Sequence, residues 1–158
     1  MNYLSAFSNR ELNIIAYLLI DLLVATYYFG ILLSFQGEID FASKEMGYLI
    51  IRIIVFSIAL SIIVVGIINY RGEAPRDERD HRIESKAITV AYCVLFICIV
   101  AVIGNIIASS AFQFSVFAID IKPMVLAHVL LLSLLLSSTV KSVYQMSLYR
   151  RGAGFGNE

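Results

Sequence analysis

The chain has 158 residues, 59% of them hydrophobic, a formal net charge of +0 and a mean hydropathy of +0.84. An ordinary soluble domain is only about half apolar, and its helices keep a polar face for water, so a soluble enzyme or receptor domain is excluded as the main architecture. Zero net charge supplies no basic field, which argues against a nucleic-acid partner.

The start, MNYLSAFSNRE, has no lysine-rich segment followed by a short apolar core, so it reads as the approach to a retained first helix and not as a cleaved leader. The first apolar run, residues 12–35, is interrupted by Asp21. Asp21 lies about 15 Å from the start of that run by helical rise, where a lone carboxylate costs about 2.5–3.5 kcal/mol. The second run, residues 48–70, carries Arg52 in its first turns. The third, 88–112, contains Asn105, Cys93 and Cys98, and the fourth, 124–148, contains His128 and Lys141. Each run is long enough to cross a hydrocarbon core of about 30 Å. Backbone groups in lipid must pair within their own segment, so all four are expected to be helices. The expected fold is all-α: a single domain, residues 1–158, of four transmembrane helices near 12–35, 48–70, 76–112 and 123–149, arranged as two hairpins in a bundle.

Between the second and third runs lies NYRGEAPRDERDHRIESKA, residues 69–87, with five basic and five acidic side chains. Pro75 is suited to open a helix, and Asp77, Glu78 and Asp80 would then meet the amide end of its dipole. Arg76 with Asp80, and Glu78 with Arg82, have the four-residue spacing of surface ion pairs. Ile83, Ala87 and Val90 continue one apolar face into the third run, so the third helix should begin before the membrane. Asp77, Asp80, His81 and Glu84 also share a helical face on which a cation could sit. Arg76, Arg79 and Arg82 compete for those carboxylates, and no calcium-loop pattern is present. A solvated helix start and a contact surface for a cytoplasmic protein, formed by Asp77, Glu78, Arg79, Asp80 and Arg82, are the two readings that remain.

The residues Tyr70, Arg71, Gly72, Asp77, Glu78, Arg79, Asp80, Ile83, Lys86 and Ala87, followed by a long apolar helix, resemble a family of small prokaryotic membrane proteins, domain of unknown function 2178. The terminal LYRRG is similar to the endings of that family. The resemblance covers most of the chain. It implies a polytopic helical protein of a bacterial or archaeal cell membrane and carries no reaction, cofactor or site residue with it.

Four crossings place both termini and the charged loop, 71–86, on one side. That side holds Arg10, Arg71, Arg76, Arg79, Arg82, Lys86, Arg150 and Arg151, with Lys141 nearby, against Lys44, Arg52 and Lys122 opposite. The basic excess marks it as cytoplasmic. The ends INYRG and SLYRRG of the second and fourth runs both set Tyr at the membrane edge, Arg beyond it and Gly at the expected helix stop. The echo fits either a duplicated hairpin or two solutions to the same interface.

Lys141 lies about 12 Å below Tyr149 by helical rise, a depth that matches Asp21, so the two are expected to face each other across the bundle as a pair. The alternatives are a gate or proton-coupled site at the same residues, or a lysine that snorkels to the cytoplasm while the aspartate is protonated or hydrated. Arg52, Asn105 and His128 all fall within about 10 Å of the outer interface and form a second possible polar layer, with Glu45 or Asp120 in reach of Arg52. Ser109 or Ser110 matches His128 in height, but no nucleophile–base motif supports catalysis. The two cysteines read as apolar filler, and no metal or cofactor motif is present. Ala59 with Gly66, Ala101 with Gly104, and Ser133, Ser137 and Ser138 can admit close helix contact or cross-helix hydrogen bonds.

The sequence therefore supports a non-enzymatic accessory or regulatory subunit in the lipid bilayer, making cytoplasmic protein contacts. The alternative is a small oligomeric transporter or channel using Asp21, Lys141, Arg52 and His128.

Overall fold

The computed structural model describes residues 9–34, 40, 41, 43–70, 77–112 and 122–153. Four helices carry nearly all of them: α1 (Asn9–Ser34), α2 (Lys44–Tyr70), α3 (Glu78–Phe112) and α4 (Pro123–Ala153). All four are long and apolar enough to cross a membrane. With 35 residues, α3 is about 50 Å long at 1.5 Å per residue, longer than the hydrocarbon layer is thick.

The starts of α2 and α3 are set by polar caps, not by the edges of the apolar runs. Ser43 caps α2: its Oγ accepts from Met46 N–H at 3.3 Å, and its carbonyl from Gly47 N–H at 3.2 Å. This cap extends α2 to Lys44, four residues before the apolar run begins. The third helix starts at Glu78 and not at 76, because Asp77 is its cap. Asp77 C=O accepts from Asp80 N–H at 3.0 Å and His81 N–H at 3.3 Å, and Asp77 Oδ1 accepts from Glu78 N–H at 2.7 Å. Asp80 Oδ2 reaches back to Asp77 N–H at 3.1 Å, which makes a reciprocal cap with Asp in the place of the usual Glu. Pro123 opens α4, where its missing N–H costs nothing. At the other end α4 runs through Gly152 to Ala153, so Gly152 does not stop the helix as expected; Gly72 lies outside the described residues.

Packing is centred on α4, which touches α1, α2 and α3. α1 also packs on α2, whereas α3 packs on α4 alone among the described residues. The core joins Ile20, Val24 and Tyr28 of α1 to Met46, Leu49 and Ile53 of α2, with Leu131, Leu132 and Leu135 of α4 against them. The α3–α4 seam is closer. Ala87 is 0% exposed, Ile83 and Ala91 are buried beside it, and Ser137 Oγ donates to the Ala91 carbonyl at 2.8 Å. Small side chains let two backbones approach closely enough for such a bond.

Gly66 and Gly104 do not play that part. A Cβ placed on either would meet nothing within 4 Å, so both lie on open faces. Gly47 is the glycine at a close approach: a Cβ there would stand 2.8 Å from Met124 Cε. Elsewhere the outer faces are apolar. Leu33, Ile62, Tyr92 and Ile97 are among the most exposed large side chains, an arrangement suited to lipid and not to water.

Candidate functional site

Asp21 lies about 18 Å along α1 from Asn9, in the seam with α4. Its direct partner is Ser138, whose Oγ donates to Oδ2 at 2.8 Å. Lys141, one turn further along α4, acts on the carboxylate electrostatically but forms no salt bridge with it. The direct Asp21–Lys141 contact expected from matching depths is therefore replaced by a hydroxyl, with the cation nearby. The seam is half open. Ser138 is exposed and Asp21 is partly so, while Ile20 and Val24 close the side of α1 towards α2.

The second site lies near the other end of the bundle. His128, 2% exposed, and Tyr28, 2% exposed, are joined through Nδ1 and the phenol oxygen at 3.1 Å. Phe41 stands edge-on to the imidazole at 5.5 Å between centroids, and the Tyr28 ring lies at 5.9 Å. Nε2 is buried with no hydrogen-bond partner among the described residues. A buried nitrogen left unpaired costs about 1–3 kcal/mol, so its presence here needs an explanation.

The outer polar layer expected from sequence does not assemble. Among the described residues α2 and α3 are not packed on each other, which separates Arg52 from Asn105. Arg52 is exposed, Asn105 is buried at 6%, and His128 turns to Tyr28 instead. Glu45 forms no ion pair with Arg52; seven residues on one helix separate the two by about 10 Å along its axis. Asp120 lies outside the described residues. Ser109 and Ser110 spend their hydroxyls on the Ile106 carbonyl, at 3.0 and 2.6 Å, so neither engages His128. Cys93 is exposed and Cys98 partly so; Cys93 faces outward and fills no core.

At the charged end of α3, Arg82 donates to Glu78 at 2.7 Å on the surface, as the spacing predicts. Arg76 lies outside the described residues. Asp80, besides capping, accepts a 2.8 Å hydrogen bond from Tyr149 Oη of α4. Both of its carboxylate oxygens are thus engaged, and no metal-binding group of three His, Cys, Asp or Glu occurs among the described residues. Glu78, Arg79, His81 and Arg82 remain exposed.

The family profile described as predicted membrane protein, DUF2178, matches residues 11–147. The chain belongs to this family. No curated protein and no solved structure matches it. The residues that carry the DUF2178 resemblance divide by physical task. Asp77 and Asp80 cap α3, and Ile83 and Ala87 bury against α4. Glu78, Arg79 and Lys86 face outward; Tyr70 has no described side chain, and Arg71 and Gly72 lie outside the described residues.

Tyr28, and the pairing of Ser138 with Asp21, escaped the sequence reading. Tyr28 lies seven residues after Asp21 and so on the same face of α1, which was the available signal. The sequence reading credits Ser138 with a possible cross-helix hydrogen bond without naming Asp21 as its partner, although a hydroxyl one turn from Lys141 lies within reach of that depth.

Proposed function

We propose that this DUF2178 protein is a non-enzymatic accessory or regulatory subunit of the cell membrane that works through cytoplasmic protein contacts. In this reading the helices form two hairpins, α1–α2 and α3–α4, with both termini and the 71–86 segment in the cytoplasm. The basic excess on that side supports the orientation.

The observation that carries the proposal is the Tyr149–Asp80 hydrogen bond at 2.8 Å. It ties the start of α3 to the last turns of α4, while the Asp77 cap holds the backbone. Glu78, Arg79, His81 and Arg82 are then displayed, exposed, on a fixed helical frame, with Glu78 and Arg82 paired to each other along it. Preorganised side chains lose less entropy on binding than those of a flexible loop. A photocrosslinking residue at Arg79 or His81, in cells, tests this: one recurrent heterologous partner is expected. Adducts confined to lipid or to a second copy would overturn it.

A second reading, a small oligomeric transporter or channel, has Asp21 in its favour. A half-open carboxylate with a hydroxyl on it and a lysine one turn away is the kind of group that can bind and release a proton or cation. Arg52 and His128 add nothing to this path, because they do not share a layer with it. Solute or proton flux in proteoliposomes that is abolished by Asp21→Asn would establish the transport reading over the accessory one.

A further inference from the structure

His128 is the buried polar group that the proposed function leaves unused. Its ring is fixed from one side by Tyr28 and shielded from another by Phe41. The chain has four methionines, and two of them converge on this level. Met124 lies one turn before His128 on the same face of α4, and its thioether rests over the bare backbone of Gly47, with Sδ 3.4 Å from where a Cβ would stand. Met46, the residue before Gly47, is 1% exposed and belongs to the same buried cluster as Tyr28. We propose that His128 Nε2, with the thioethers of Met124 and Met46, forms a binding site for a soft monovalent metal ion, Cu(I) or its redox-inert analogue Ag(I).

The donor set selects the ion. Imidazole with two thioethers is neutral and soft, which suits Cu(I) or Ag(I) and not calcium, magnesium or manganese. A divalent ion would bring two charges to a donor set that is itself neutral, and no group of three His, Cys, Asp or Glu gathers among the described residues to balance them. Tyr28 supplies the outer contact usual for a metal-bound imidazole. With Nδ1–H donating to Tyr28 Oη, the tautomer is the one that presents a lone pair at Nε2. The unpaired nitrogen then has a purpose as a donor atom. The three rotatable bonds of each methionine let sulfur swing onto the ion without moving the helices. Gly47 leaves the room for Met124 to lie between α2 and α4.

The test uses full-length protein in detergent with Cys93→Ala and Cys98→Ala, because free thiols also bind Ag(I). Titration with Ag(I) is expected to show one saturable equivalent, with affinity falling at least tenfold in Met46→Leu/Met124→Leu. That pair conserves volume and should keep the fold, so the test does not depend on a His128 variant folding. With methyl-labelled methionine, the Met46 and Met124 NMR signals should move on titration while Met146 stays. Absence of saturable binding, affinity within twofold of the parent in the double leucine variant, or movement of Met146 in place of Met46 and Met124 would each overturn the site.

Discussion

Ser138 of α4 holds the carboxylate of Asp21 of α1 at 2.8 Å, while Lys141, one turn away, acts on it without contact. The hydroxyl, and not the cation, is the group in direct contact with the carboxylate. Ser138→Ala should lower stability by about 1–3 kcal/mol, the usual effect of stranding a charged acceptor. A double-mutant cycle in detergent should return a larger coupling for Asp21 with Ser138 than for Asp21 with Lys141. Equal or reversed couplings, read from thermal midpoints, would contradict the geometry.

This relationship marks the limit of what the sequence carries. Depth was legible, because helical rise converts position into height to within about one turn, and Asp21 does meet α4 about one turn from Lys141. Azimuth was not. On helices that are apolar nearly all round, no stripe says which side meets protein and which meets lipid. Ser138 and Lys141 were thus indistinguishable by height. Gly66 and Gly104 looked like packing positions although both lie open, whereas Ala87, Ala91 and Gly47 make the close approaches. The four helices themselves were plain, since unbroken apolar runs have no other way to satisfy their backbone in lipid. The Glu78–Arg82 pair was equally plain, being local in sequence.

Tyr28 and His128 should behave as a unit. Tyr28→Phe removes one partner and leaves both imidazole nitrogens unpaired, at an expected cost of about 1–3 kcal/mol. Tyr28→Phe combined with His128→Leu should be less harmful than the sum of the single changes, because the orphaned polar atoms go together. Chemical or thermal unfolding of the four proteins checks this; strict additivity would mean that the bond contributes nothing.

The frame at the charged end of α3 makes a local prediction. Tyr149→Phe should leave the transmembrane segments intact but raise amide hydrogen exchange in the first turns of α3, because Asp80 loses its tie to α4. Asp77→Ala should have a larger effect on the same amides, about 1 kcal/mol for a lost cap, and Asp77→Asn a smaller one. Exchange that is unchanged across residues 78–82 in both alanine and phenylalanine variants would show that the end of α3 is held by other contacts.

The glycines separate helix propensity from packing. Alanine in place of glycine inside a helix gains about 1 kcal/mol when nothing stands in its way. Gly66 and Gly104 meet that condition, with no atom within 4 Å of a new Cβ, so Gly66→Ala and Gly104→Ala should each raise the thermal midpoint. At Gly47 the same methyl meets Met124 Cε at 2.8 Å, and the gain is opposed by the displacement of that side chain. The end of a methionine is flexible, so Gly47→Ala should come out close to neutral. Gly47→Leu, whose added bulk must push α2 away from α4, should be clearly destabilising, by about 1–3 kcal/mol. Adding Met124→Ala should then restore part of the Gly47→Leu loss, because it vacates the space the leucine needs. If Gly47→Leu were as harmless as alanine at Gly66, the ends of α2 and α4 would not be in contact at Met124.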